Sequence, residues 1–280
     1  MPRSTTSAAT RRPLLGLLLI TELIAAATLV GRVDAAPTAQ PPTASTPTVQ
    51  TPPSAASTSV TVADGRTAEL VSLGGAQTDP LLHRIEGEMD DAVRAVTAFW
   101  GPDWSRDIVV VAAASDEQFR ALAGGGADIA AATTDQRIVL APGAAAMSPA
   151  ALRIVLRHEL FHYAARPDTA SDAPRWLTEG VADFVARPPT PRPDPQRAAE
   201  LAELPTDADL DTAGPTRTLA YDRAWWFARF VADRYGTPTL RALYERACGR
   251  GHPDVQTAVT ETLGAGLDQV LAEWRRWLTG

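Results

Sequence analysis

Apolar residues recur at three- and four-residue intervals between positions 80 and 100, at Leu82, Ile85, Met89, Val93 and Val96, and this spacing predicts an amphipathic helix. Upstream, residues 59–73 alternate apolar and polar positions on either side of Asp64 and Gly65, the pattern of a hairpin or of paired strands. A short continuous apolar run at 107–113 predicts a central, buried strand. Residues 116–123 read as a helix stopped by Gly124, Gly125 and Gly126. Segments 128–134 and 137–141 then flank Asp135 and Gln136, which predicts a second hairpin.

After that hairpin, Ser148 and Pro149 form an N-cap and first turn for a helix with an apolar flank at Leu152, Val155, Leu156 and Leu160. Asp172, or the pair Ala173 and Pro174, opens the next helix. Residues 187–195 are a proline-rich loop bordering the cleft, and beyond it helical spacing dominates at 196–204, 219–235, 239–249, 267–278 and, more weakly, 255–263. The expected architecture is α+β: a small mixed sheet over one central helix, followed by a mostly helical half, without internal repeats.

The first 59 residues do not follow these patterns. Arg3, Arg11 and Arg12 precede an apolar run at 14–30, and Val33, Asp34 and Ala35 make a small-residue cleavage site. Residues 1–35 therefore read as a signal peptide, with an uncleaved N-terminal anchor as the alternative, and Glu22 inside the run weighs against a stable span. Residues 36–59 are almost wholly Pro, Thr, Ser, Ala and Gln, too poor in apolar surface to offset ordering entropy, and read as a disordered linker. Export follows as an expectation, to a secreted or cell-envelope location, with membrane or cell-wall association possible through the N-terminal segment. Residues 60–280 remain, long enough for one compact domain with an ample core.

Charge narrows the partners. The chain carries a net charge of −7, and every basic residue is arginine. Nucleic acid is disfavoured as a partner. The single cysteine, Cys248, forms no disulfide within the chain and is expected to be a buried helical residue.

The chemistry lies in HELFH at 158–162 and WLTEGVAD at 176–183. His158 and His162 are four residues apart on the predicted helix, so their imidazoles share a face and reach one Zn²⁺. Glu159, one position round, meets an activated water without occupying a coordination site, which is the place of a general base. Catalytic zinc usually takes three protein ligands, and Glu179 is the third. Four residues on from it, Asp183 shares its helix face.

These two segments resemble the gluzincin metallopeptidases, the thermolysin-like zinc enzymes with two His and one Glu as ligands, and especially their small peptidase MA-like members. The resemblance is strongest over 152–186 and looser over 108–236. It implies a zincin-like fold, with His158, His162 and Glu179 as ligands, Glu159 as base and Asp183 as the partner of a ligand imidazole. It also implies an extended peptide or protein substrate held along a sheet edge above the zinc, here one strand of the 128–141 hairpin. Tyr221 resembles a tyrosine that many such sequences carry on the helix after the third ligand, where it donates to the oxyanion. Its spacing with Ala224, Trp225, Ala228 and Val231 fits an ordinary core tyrosine equally well. There is no GAMEN-like segment before the first motif, so recognition of a free substrate amine is not implied.

Taken together, the residues indicate an exported zinc-dependent peptidase. Two other readings use the same side chains: a non-catalytic envelope protein on the same scaffold, and a zinc hydrolase of a non-peptide amide. His83 and His252, the remaining histidines, are read as surface residues.

Overall fold

A computed structural model describes residues 56–124 and 128–280. The expected signal peptide and most of the expected linker lie outside the described residues. At the boundary, β1 (Ala56–Thr61) takes in four residues that composition alone had assigned to the linker. It pairs antiparallel with β2 (Thr67–Ser72) through a turn in which Gly65 has φ 87°. The helix α1 (Asp79–Trp100) follows, with Leu82, Ile85, Met89, Val93 and Val96 all buried.

Next come β3 (Asp107–Ala112) and α2 (Asp116–Ala123), the latter capped by Ser115 and ended by Gly124 in the left-handed region at φ 74°. The second hairpin is shorter than its sequence pattern. Its strands are β4 (Ala131–Thr133) and β5 (Ile138–Leu140), because Thr134 and Arg137 already close the turn with a 2.9 Å backbone hydrogen bond. The five strands form one mixed sheet in the order β1-β2-β3-β5-β4. β2, β3 and β5 run parallel, while β1 and β4 are antiparallel edges.

Strand alternation divides the apolar residues between the two faces of the sheet. Ile108, Val110, Ala112, Ile138 and Leu140 join the large core shared with the helices, whereas Val111, Ala113, Val139 and Ala141 pack with Phe119 of α2 on the other face. Against the large core lies α3 (Pro149–Ala165), capped by the Ser148 hydroxyl and packed on α1. Phe161 of α3 is fully buried and meets Phe99, Trp100 and Tyr244 edge-on, at 5.8, 5.7 and 5.4 Å between ring centroids. These contacts fix the rotation of α3 about its axis and so decide which face meets the site.

The helical half comprises α4 (Arg175–Ala186), α5 (Pro195–Leu201), α6 (Asp207–Asp211), α7 (Pro215–Tyr235), α8 (Thr237–Cys248), α9 (Val255–Leu263) and α10 (Leu267–Thr279). Of the two openings offered for α4, the Ala173 and Pro174 pair holds: Pro174 occupies the N-cap position, with no side-chain cap. Two boundaries differ more clearly from the sequence expectation. The segment expected to be one helix at 196–204 stops at Leu201, and Thr206 with Asp209 builds a capping box that starts the short α6. α7 starts at Pro215, a proline in the first turn extending it one turn ahead of Leu219. Cys248 ends α8 as a buried free thiol, as expected. No helix among the described residues is long and apolar enough to cross a membrane.

The approach of α4 to α7 depends on Gly180. A Cβ added there would lie 2.5 Å from the carbonyl oxygen of Ala224 on α7. Glycine is therefore what lets α4, carrying Glu179 and Asp183, seat against α7, carrying Tyr221 and Asp222. Gly180→Ala is expected to destabilise the protein by about 1–3 kcal/mol through overpacking, measured by denaturant unfolding. Unchanged stability would show that α4 and α7 have slack at this crossing.

Candidate metal centre

Helical periodicity brings His158 and His162 together, as their spacing requires, with ring centroids 4.7 Å apart. α4 crosses α3 so that Glu179 reaches the same point. The Nε2 atoms of His158 and His162 are 2.9 Å apart, and Glu179 Oε2 lies 3.2 Å from the first and 3.4 Å from the second. These three side chains form a cluster with its potential ligand atoms mutually within 4.8 Å. Around a tetrahedral ion with bonds of about 2.05 Å, neighbouring ligand atoms are separated by about 3.3 Å. The cluster already has close to that spacing, so its donor set fits one small N/O-preferring cation.

The rear of His158 is also held. Its Nδ1 is 2.9 Å from Asp183 Oδ1, which makes Nδ1–H the donor and leaves Nε2 with its lone pair toward the cluster. His158, Glu159 and Asp183 are each 0% exposed and Glu179 is 4% exposed. Burial works against charge on His158, but the Asp183 and Glu179 carboxylates bonded to the ring prevail and its pKa is pushed up to about 10. Glu179 is likewise opposed by burial, yet the two imidazoles hold it well below the usual carboxylate range. Both shifts arise from the pairing of the imidazoles with the buried carboxylates.

Glu159 points from the same helix but stays outside the three-atom cluster. The hydroxyl of Thr133, on edge strand β4, lies 2.6 Å from Glu159 Oε2 and 2.9 Å from the Glu159 backbone oxygen. The other oxygen, Oε1, is buried without a hydrogen-bond partner. Burial raises the Glu159 pKa, opposed by the imidazoles of His158 and His162 and by the Thr133 hydrogen bond. A buried carboxylate oxygen without a hydrogen-bond partner is a group still open to a donor.

Tyr221 sits on α7 with its ring centroid 6.4 Å from that of His158 and is 2% exposed. Burial raises its phenol well above the ordinary value, and the charges of Glu179 and Asp183 add to the shift. It belongs to the core and to the wall of the site at once. His83 is exposed on α1, in agreement with its reading. His252 is half-buried instead of superficial, near Asp172 at 3.4 Å, and neither histidine joins the cluster. Thr133 was missed by sequence reasoning, being only a small polar residue that ends a run of alanines.

No family model and no curated protein matches the chain. Among solved structures, the M1 zinc metallopeptidase from Deinococcus radiodurans is similar at 18% identity and TM-score 0.47, over 81% of this chain and 51% of that one. Aminopeptidase A of Legionella pneumophila, in complex with aspartic acid, is similar at 14% identity and TM-score 0.46, over 80% of this chain and 28% of that one. The chain thus spans about half the length of the first and little more than a quarter of the second. Likeness at this level carries no argument about activity, and the functional reading rests on the site.

Thr133→Val keeps the side-chain shape and removes the hydroxyl that faces Glu159 Oε2, leaving both carboxylate oxygens buried without a donor. Stability is expected to fall by about 1–3 kcal/mol, measured by chemical denaturation. No loss would mean that Glu159 finds another partner.

Proposed function

We propose that the chain is an exported zinc-dependent peptidase of the gluzincin type, with His158, His162 and Glu179 as the metal ligands and Glu159 as general base. The observation that carries this reading is the convergence of two imidazole nitrogens and one carboxylate oxygen at tetrahedral spacing, with the unpartnered Glu159 Oε1 buried on the same helix. Bound zinc supplies Lewis-acid polarisation of a carbonyl and brings the pKa of a coordinated water down toward neutrality.

The chain's own residues do the rest. Glu159 takes the proton from the attacking water and returns it to the leaving amine, and its rise in pKa through burial brings it closer to the operating pH of a base that must also act as an acid. Thr133 fixes the carboxylate rotamer through Oε2, so that Oε1 is the oxygen left for the proton. Asp183 fixes the tautomer of His158. Tyr221 stands beside His158 as the donor to the developing oxyanion.

A peptide is the substrate favoured by the sheet. β4 is an edge strand and carries Thr133, so an extended chain paired with β4 would run directly past Glu159. Backbone pairing of this kind accepts many side chains, which fits a peptidase better than a hydrolase of one small amide. Export and any membrane or cell-wall association rest on residues 1–35 and the composition of the spacer, outside the described residues.

Two substitutions test the assignments. Glu159→Gln should lower kcat on peptides by about 10² to 10⁴ while zinc content stays near that of the parent protein; metal loss along with activity would make Glu159 a ligand instead. Tyr221→Phe retains the ring and loses the donor, so kcat should drop on the order of 10² at nearly constant KM and Tm. A Tm shift with unchanged kcat would leave Tyr221 as a core residue only.

A further inference from the structure

Behind the His158–Asp183 pair lies a second layer of charge that the reading above does not use. Arg187, at the C-terminal cap of α4, is turned back into the protein with its side chain 8% exposed. Its Nη2 is 2.6 Å from Asp183 Oδ2, the carboxylate oxygen that does not face His158. Its Nη1 donates to Asp222 Oδ1 on α7 at 2.9 Å. Asp222 Oδ2 in turn accepts from Arg197 Nη2 on α5 at 2.8 Å, and Arg197 Nη1 donates to Glu200 Oε2 at 2.7 Å. The ring of Trp225 covers the Arg187 guanidinium, 5.0 Å from centroid to Cζ.

We infer that Arg187 is a positioning residue of the metal centre: its guanidinium fork fixes the Asp183 carboxylate, which fixes the His158 ring. This rests on the proposed metal-binding role of His158. The geometry favours it over simple crosslinking because one planar fork spans two carboxylates on two helices, and one of those carboxylates has its other oxygen on the imidazole. A carboxylate hydrogen-bonded to the imidazole through Oδ1 and ion-paired with the guanidinium through Oδ2 is restrained about its terminal bond, so the imidazole plane is set by α7 and α5 as well as by α4. Lysine offers a single point charge and cannot hold both carboxylates in fixed orientation.

Partners behind metal-ligating histidines are typically worth about 10- to 100-fold in metal affinity. The test is zinc affinity by chelator competition on full-length protein, together with the visible spectrum of the Co²⁺-loaded form, for the parent, Arg187→Met and Arg187→Lys. Arg187→Met is expected to weaken zinc by about 10- to 100-fold and to shift the cobalt bands, which report ligand geometry. Arg187→Lys is expected to fall between the parent and Arg187→Met. If Arg187→Met does not fold, Arg187→Lys decides: lowered affinity with shifted bands supports the role, and parental affinity overturns it. Variants that lose thermal stability yet retain parental affinity and spectrum would reduce Arg187 to a helix crosslink. Failure of the parent protein itself to bind zinc would overturn both this inference and the metallopeptidase reading, whereas normal zinc binding in every variant would overturn this inference alone.

Discussion

Two imidazole nitrogens held 2.9 Å apart, each within 3.4 Å of a buried carboxylate oxygen, form an arrangement that could hold one shared cation. The surrounding structure supports that one constraint. α3 presents both histidines on one face because the neighbouring flank is locked by Phe161, which packs among Phe99, Trp100 and Tyr244 and lies 6.0 Å from the His162 ring. α4 brings Glu179 to them because Gly180 permits its contact with the Ala224 carbonyl. Sheet and helical half thus meet at the site, β4 contributing Thr133 from one side and α7 contributing Tyr221 from the other.

Burial makes this arrangement selective in its electrostatics. Glu159, Glu179 and Asp183 are taken out of water, and each has a different compensation. Glu179 faces both imidazoles, Asp183 is shared between His158 and Arg187, and Glu159 has a neutral hydroxyl on one oxygen and no hydrogen-bond partner on the other. Three buried carboxylates are therefore set apart by their neighbours, and under the proposed reading they would serve as a cation ligand, an anchor and a group left free to exchange a proton. The division comes from neighbours, since the three side chains are chemically almost the same.

Local spacing made much of this legible in the sequence. Four-residue intervals at His158/His162 and Glu179/Asp183 state which groups share a helix face, and the caps at Ser148 and Gly124 mark helix ends, because these relations are settled within one or two turns. Relations set by topology were not legible. Thr133 reaches Glu159 across 26 residues, and β4 becomes an edge only through the strand order β3-β5-β4. Arg187 was read as the start of a proline-rich loop since Pro188 and Pro189 follow it, yet its side chain folds back by one helical turn onto Asp183. The five-residue α6 escaped notice because a single capping box, with no apolar period, is its only signal. Tyr221 is buried in the core and adjacent to His158, a position compatible with either of its readings, so sequence periodicity had no means of separating them.

The central claim is that the cluster of His158, His162 and Glu179 is a zinc site. Anomalous diffraction from crystals of the protein purified without chelator, recorded on both sides of the zinc absorption edge, tests it most directly. The account predicts one strong anomalous peak about 2.0–2.2 Å from the Nε2 atoms of His158 and His162 and from Glu179 Oε2, lost on the low-energy side of the edge. A well-ordered site with no such peak after zinc soaking, or a peak bound to other residues, would contradict it.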